Sequence, residues 1–390
     1  MVWLPCGSVA APLLHHMLAL LTLIPALRPG RLTLGKTKQL LSRFDVAIPT
    51  SVFEADELRA LLRSELPGVA EATGHAVPLE YMAAAADALG PGATVDSKSY
   101  CAVRLELPEV ASPEAASTVC FMLDTAASNS LVTPEASAAL GARPTGVTAS
   151  ASTATSSDGS GFQQVNLGEA RLPGGLSLGS LAPVAMPLPL PGRAGLLGLD
   201  VLERFAIELV LRPGRPFAVL HPPGELPAEA RAGMRLLPTR RLPGSGLLVT
   251  RAALGAEAEA PRVEVDAVLD LGSTLTIASP GALTAAGFAR SDARIKLTDS
   301  VIGGATGEPL RLREARCSVR LGGPSAAVQP LEMAVAELPI FRALGLGGSA
   351  MIVGLDALAT SRDAARGSRV VLDVAGGGVW VEDAAASLDR

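Results

Sequence analysis

The apolar positions of this chain follow two different periods. Over residues 51–64, SVFEADELRALLRS, they recur at helical intervals, and Ser51 with Glu54 has the S-x-x-E spacing of a capping box, which predicts a helix. LEYMAAAADAL, 79–89, predicts a second helix. After PGATVDSKS, 91–99, the character changes to short apolar runs broken by Gly and Pro, the pattern of strands and turns. A Pro-rich stretch at 221–245 then splits this β-like part into halves of similar length.

The halves repeat each other. LDTAASNSLVTPEASAALGA (123–142) matches LDLGSTLTIASPGALTAAGF (269–288) position by position. Each has an apolar residue and then an acid, Asp124 or Asp270. Nine residues on stands Thr133 or Ser279, ten on Pro134 or Pro280, and seventeen on Gly141 or Gly287. A hydroxyl residue N-caps a short helix, Pro fits its first turn and Gly ends it, so each half reads strand, Asp turn, second strand, short helix. Further along come GLLGLDVL (195–202) and MIVGLDAL (351–358), each followed by a β-like stretch, FAIELVL (205–211) or RVVLDV (369–374). The intervals from the Asp to the glycine of Gly-Leu-Asp are 74 and 84 residues, too long for a solenoid and suited to duplicated domains facing across a pseudo-two-fold. One Asp at a strand end is ordinary turn chemistry. Asp124 and Asp270 rise above that reading because the construction occurs twice, in order. Asp200 and Asp356 read as structural, capping the helix after each glycine.

The N-terminus is a different material. Residues 1–44 hold no Asp or Glu but carry Arg28, Arg31, Lys36, Lys38 and Arg43. LLHHMLALLTLIPAL (13–27) is apolar enough for a targeting core, short for a membrane span, and contains His15 and His16. The segment reads as a targeting leader for an organelle (chloroplast or mitochondrion) or the secretory pathway. Membrane association is expected only through it. Within it GRLTLGKT (30–37) fits the phosphate-cradling pattern G-x-x-x-x-G-K-[ST], although Arg31, Leu32 and Leu34 are bulky where small residues help such a loop wrap.

Composition narrows the classes. The chain has 390 residues, enough for two domains; 48% are hydrophobic but only 3% aromatic, so the core must be aliphatic. A net charge of −5 without a basic block leaves no electrostatic footprint for nucleic acid. Cysteines at 6, 101, 120 and 317 have neither a disulfide framework nor close CxxC spacing, and read as small hydrophobes. Four His in all argue against a His-based metal site or a serine triad. No metal and no cofactor is expected.

Asp-Thr-Ala-Ala-Ser at 124–128, the helix after it and LLGLD at 196–200 resemble the retropepsin-like aspartic proteases; Asp270-Leu-Gly-Ser-Thr and IVGLD resemble the same unit again. Two such units in one chain are similar in plan to the bilobal pepsin-like enzymes, over roughly residues 96–385. The resemblance implies a mostly β, bilobal, closed-barrel fold, here with a helical N-terminal segment, in which each lobe lends one catalytic aspartate, Asp124 and Asp270. Two carboxyls about 3 Å apart cannot both ionise cheaply and share one proton, so general acid and general base coexist without metal. It further implies that Thr125, Gly272 and Ser273 support the pair, while Leu271 and Ala126 depart from the usual hydroxyl and glycine. A flap is expected in 149–165, with Phe162 the aromatic candidate, or in 300–312, with Gly303 and Gly304 at the tip.

The expected organisation is a leader (1–44), a helical segment (45–95), a first lobe (96–222), a Pro-rich linker (223–245) and a second lobe (246–385). Three functional readings follow. The first is an aspartic endopeptidase acting on peptides or unfolded proteins. The alternative is a catalytically silent peptide-binding module on the same fold, favoured by Ala126 and Leu271. The third, P-loop nucleotide binding, rests on residues 30–37 alone.

Overall fold

The computed structural model describes residues 32–50, 52, 54–66, 69, 72–83, 99–109, 118–151, 159–188, 193–212, 215–257, 260–302, 310–359 and 368–382. Helices α1 (Leu34–Arg43) and α2 (Ala55–Glu65) come first, then β1 (His75–Pro78) and β2 (Glu80–Ala83). The first lobe continues with β3 (Ser99–Glu106), β4 (Thr118–Leu123), β5 (Leu131–Val132), α3 (Pro134–Ala139), β6 (Arg143–Ala151) and β7 (Gly159–Asn166). It ends with β8 (Glu169–Arg171), β9 (Ser177–Ser180), β10 (Val184–Ala185), β11 (Gly195–Leu197) and α4 (Leu199–Leu202). Strands β12 (Ala206–Leu211), β13 (Phe217–His221) and β14 (Met234–Leu237) follow. The second lobe holds β15 (Thr239–Arg241), β16 (Leu248–Ala256), β17 (Val263–Leu269), β18 (Ile277–Ala278), α5 (Pro280–Ala285) and β19 (Lys296–Ile302). It goes on through β20 (Leu310–Leu321), β21 (Gln329–Val335), α6 (Pro339–Ala343), β22 (Ala350–Val353) and α7 (Leu355–Leu358). The last strands are β23 (Ser368–Asp373) and β24 (Gly378–Glu382).

Three sheets result. The first lobe orders its strands β6-β7-β10-β5-β11-β4-β3-β8-β9, with β2 on β3. The second runs β15-β16-β17-β22-β18-β21-β20-β19, and an extra β16–β20 pairing closes it into a barrel. Among the described residues the first-lobe sheet has no such closing pair. The third sheet, β1-β13-β12-β23-β24-β14, joins the lobes through antiparallel β12 and β23, which pair Ala206 with Asp373 through to Leu211 with Ser368. The fold is thus mostly β and bilobal. One large, mostly aliphatic core, including Leu197, Leu269 and Val353 together with Phe121, runs through both lobes. Cys101 and Cys317 are buried free thiols within it.

Two parallel pairings position the site. In each lobe the strand that ends at the Asp lies beside the strand that ends at the Gly of Gly-Leu-Asp: β4 on β11, with Leu123 opposite Leu197, and β17 on β22, with Leu269 opposite Val353. The short helices form as their caps predict. The Thr133 and Ser279 side chains each accept the N–H three residues on at 3.1 Å, and Pro134 and Pro280 occupy the first turn. Gly141 and Gly287 take φ of +61° and +101° just past the helix ends, where a Cβ would be strained.

The N-terminal part differs from expectation. Residues 80–83, read as helical, are strand β2, whose Tyr81 pairs with Cys101 of β3; an edge partner decides a segment whose local preference is helical. Residues 84–89 of that expected helix lie outside the described residues. Helix α2 starts at Ala55, and its capping box is Glu54 with Glu57, whose carboxylate accepts the Glu54 N–H at 3.1 Å. Residues 32–44, assigned above to the leader, are packed: Leu40 and Leu41 of α1 meet Leu58 and Leu62 of α2 over Val210, Phe217 and Val219 of the joining sheet. Each such burial stabilises by about 1.5–3 kcal/mol. Arg43 donates to the Ala76 carbonyl at 2.8 Å and Arg59 to that of Leu32 at 2.9 Å, stitching the segment to itself.

The same helix overturns the phosphate-loop reading. Thr33 is its N-cap, accepting the Lys36 N–H at 3.3 Å, and Gly35 and Lys36 sit inside its first turn. Among the described residues of the motif, 32–37, no curled loop wraps a phosphate-sized space; residues 30 and 31 lie outside them. The stretch expected to be only a linker carries β14, on the joining sheet, and β15, on the second lobe. Among the described residues no helix is long and apolar enough to cross a membrane, and the apolar run 13–27 lies outside them.

Candidate functional site: a carboxyl pair between the lobes

Each Asp sits where its strand stops. The N–H of Asp124 still donates to Leu197 and that of Asp270 to Val353, both at 3.0 Å, so the backbone is fixed by the last rung of the parallel pair. The chain then turns back over its own carboxylate. Asp124 accepts the N–H of Ala126 at 2.8 Å and also that of Ala127; Asp270 accepts the N–H of Gly272 at 2.7 Å and also that of Ser273. The two carboxyls are neighbours across the lobe boundary, close enough for each to shift the titration of the other.

Electrostatics follow from this placement. Burial pushes the Asp124 carboxyl up to about 6, against the backbone donors that favour its charge. Asp270 is raised well above the usual carboxylate range, first by burial and then by the charge of Asp124. Neighbouring acids whose titrations separate in this way hold one proton between them over the intervening pH range. Such a pair presents a base and an acid at once.

The supporting residues are unequal. Thr125 is buried; its hydroxyl donates to the Leu269 carbonyl at 2.8 Å and accepts the Leu271 N–H at 3.0 Å, gripping the opposite lobe twice. Leu271, its counterpart, is 2% exposed and has no hydroxyl to return the grip. A Cβ on Gly272 would lie 2.7 Å from Cγ of Asp124, so only glycine lets the second loop come this close to the first carboxyl. Ala126 stands at the equivalent position and turns its methyl onto the main core. Ser273 supports Asp270 with its N–H, while its hydroxyl donates to the Leu275 carbonyl at 2.7 Å instead of to the carboxylate.

Beneath the pair lies a second duplicated network. Ser130 donates to Asp200 at 2.8 Å and accepts the Gly198 N–H at 3.1 Å. In the other lobe Thr276 donates to Asp356 from its hydroxyl at 2.6 Å and from its N–H at 2.9 Å, and accepts the Gly354 N–H at 3.1 Å. Asp200 and Asp356 are structural, but they are not caps: each lies inside its helix's first turn, behind Gly198 or Gly354 as N-cap, and clamps the Asp loop to that glycine. The glycines are needed because a Cβ would fall 2.6 Å from backbone atoms of Asn129 or Leu275.

Of the flap candidates, Phe162 lies half-buried in β7, in the β6–β7 hairpin, and Gly303 and Gly304 lie outside the described residues. Sequence reasoning passed over Tyr100. Burial first, and then the charges of Asp270 and Asp124, raise the phenol of this β3 residue above its ordinary value. Its rarity was a usable signal, since the chain has only two tyrosines. The offsets of four and six residues after each Asp, Ser128/Thr274 and Ser130/Thr276, were another.

Comparison with known proteins bears on the same region. Residues 115–201 match the family model described as aspartyl protease. No curated protein sequence matches the chain. Among solved structures, basic 7S globulin from soybean aligns with a TM-score of 0.44 and 8% sequence identity, over 81% of this chain and 98% of that one. The family match runs from before Asp124 to the helical turn after Gly198, so over that stretch the first Asp loop and the first Gly-Leu-Asp are similar to those of aspartyl proteases.

Proposed function

We propose that the chain is an aspartic endopeptidase that hydrolyses peptide bonds in peptides or unfolded proteins with Asp124 and Asp270. The observation that carries this reading is the close approach of the Asp270 loop to Asp124, where a Cβ on Gly272 would lie 2.7 Å from Cγ of Asp124, with each carboxyl held by backbone N–H groups and raised in pKa by burial. In the one-proton state the ionised carboxylate takes a proton from water as its oxygen bonds to the peptide carbon. The neutral carboxyl protonates the carbonyl oxygen. Collapse of that intermediate breaks the C–N bond, and the amine leaves with a proton returned by the pair. Which Asp plays which part belongs to the pair.

Because both carboxyls are raised, the one-proton state reaches toward neutral pH, and activity is expected in weakly acid to neutral solution. The test is digestion of an unfolded protein such as casein across that range by wild type, Asp124→Asn and Asp270→Asn. Each variant should lose roughly 10³-fold or more of the rate, at the upper part of the range for general acid–base groups. Cleavage that survives either change sinks the reading. Leu271 and Ala126 favour the second reading, a peptide-binding module without catalysis. Its signature is peptide binding with no cleavage at any pH.

A further inference from the structure

The second lobe carries a surface feature that the carboxyl pair does not use. Between helix α5 and strands β20 and β21 runs an open trough of about 860 Å³. Leu283 of α5, Phe288 and Ile295 of the segment after it, and Val335 of β21 give it an apolar lining. Its charge is cationic: Arg290, Arg311 and Arg313 line it too, and Glu337 is the only acid among the described residues that do. All three arginines are exposed, and none has an ion pair or side-chain hydrogen bond among the described residues. In a chain with a net charge of −5 this is unusual; Arg171, Arg240, Arg251 and Arg369 each meet a carboxylate at 2.7–3.1 Å.

Strand register shows that the fold does not require these charges. Val335 stands beside Ala278 on one side and Arg313 on the other; in the first lobe Ala185 stands in the same way between Val132 and Gln163. Val132 and Ala278 each lie eight residues after their Asp, so Gln163 is the counterpart of Arg313. Gly161, two residues earlier, is the counterpart of Arg311. The strand framework is shared and the cations are not.

We propose that this trough is a docking surface for an extended acidic segment of another protein. Arg311 and Arg313 project from one face of β20, while Leu312 between them is 2% exposed and turned into the core. Side chains two apart on a strand repeat at about 6.8 Å, and alternate side chains of an extended peptide have the same spacing. A segment with acids at alternate positions can therefore set one carboxylate on each guanidinium, an arrangement that favours paired hydrogen bonds. The residues between the acids then turn to the α5 side, where Leu283 and Phe288 stand. A single anionic headgroup would leave two of the three cations unmatched. Nucleic acid, the other polyanion, calls for exposed rings on which to stack, and Phe288 is only 2% exposed. This surface does not depend on the peptidase reading and would serve an enzyme or a silent module alike.

The experiment is fluorescence anisotropy with the full chain and a short dye-labelled peptide alternating Glu and Leu. Binding is expected at low salt and should weaken as salt is added, because the cations are exposed. The Arg311→Ala, Arg313→Ala double variant should bind about 10-fold more weakly, since an exposed ion pair contributes up to about fivefold in affinity. A peptide with Lys in place of Glu should not bind, and one of the same composition with its Glu residues in a block should bind less well. Arg313→Glu should reverse the preference between the Glu and Lys peptides, a readout that a merely structural arginine would not give. Equal binding by the double variant overturns the proposal, as does equal binding of the Lys peptide or no binding of the Glu peptide at low salt. Binding of oleate or of a poly-dT oligonucleotide without the peptide overturns it as well. Asp124→Asn should bind the peptide as wild type does. Chain that binds it and cleaves nothing ends the peptidase reading and leaves the docking surface standing; chain that cleaves casein without binding it does the reverse.

Discussion

Set side by side, the loops 123–133 and 269–279 are alike where they meet their own lobe and unlike where they meet each other. Toward the lobe, the bonds that close the strand ends have their twins: Asp N–H to the strand before Gly-Leu-Asp, Ser130 or Thr276 to Asp200 or Asp356, and Leu199 or Leu355 N–H to Ala127 or Ser273 at 2.8 and 2.9 Å. Toward the partner lobe, Thr125 faces Leu271 and Gly272 faces Ala126. A lobe must close its own strand ends whatever the chain does, because buried N–H groups left unpaired cost about 1–3 kcal/mol each. The contact between lobes has to be made only once. Thr125 on one loop and Gly272 on the other make that contact next to the carboxyls, with Ser128 adding a bond to Ser245 farther out.

This asymmetry is most sharply tested at the glycine. Gly272→Ala places a methyl 2.7 Å from Cγ of Asp124 and should force the pair apart, lowering kcat about 100-fold, as misplacement of reacting groups by about 1 Å does. Ala126→Gly removes a methyl that rests on the core and should leave kcat within a few-fold. Steady-state kinetics on both variants decide it. Equal losses would mean that the loops approach each other symmetrically after all.

The next effect is on stability against pH. In the unfolded chain an Asp titrates near about 3.9, whereas folding raises Asp124 to about 6 and Asp270 further. As pH climbs from 4, the unfolded chain releases protons that the folded chain keeps, so stability is full below the unfolded value and falls as pH passes through the folded ones. Asp356, pushed up to about 6 by burial, and Asp200, raised by burial too, add to the fall with the same sign. Asp124→Asn should therefore raise the melting temperature at neutral pH by roughly 2–6 °C and leave it unchanged at pH 4. Calorimetry across that range checks this. A variant less stable than wild type at neutral pH would mean that the pair is stabilising there.

How much of this was legible follows the same division. The duplicated offsets gave the Asp loops, their capped helices and the Gly-Leu-Asp turns, because each is local chemistry repeated within one segment. The pairing of Asp124 with Asp270 came with the family resemblance. The place of Tyr100 near the carboxyls was not visible, because it depends on a register across β3 and β4. Strand β2 was misread for a related reason: Glu80–Ala83 prefers a helix locally and becomes a strand only because β3 offers an edge. The helix over Leu34–Arg43 was obscured by a basic, acid-free composition that also suits a leader. Periodicity records what a segment does alone, and these elements are defined by what they touch.

The smallest expected difference separates the two clamps beneath the loops. Asp356 receives the hydroxyl of Thr276 at 2.6 Å and its N–H at 2.9 Å, and Asp200 receives the hydroxyl of Ser130 at 2.8 Å and also its N–H, both hydroxyl residues being fully buried. Either Asp→Ala would leave a buried N–H and a buried hydroxyl without their acceptor, at a cost of about 2–3 kcal/mol; the shorter 2.6 Å bond from Thr276 puts Asp356→Ala at the upper end and the 2.8 Å bond from Ser130 puts Asp200→Ala at the lower. Denaturant midpoints at unchanged m-value measure both. The reverse order would show that the first lobe, whose sheet has no closing pair among its described strands, leans harder on its clamp than the closed barrel does on its own. The likeness of the two scaffolds would then be one of geometry and not of energy.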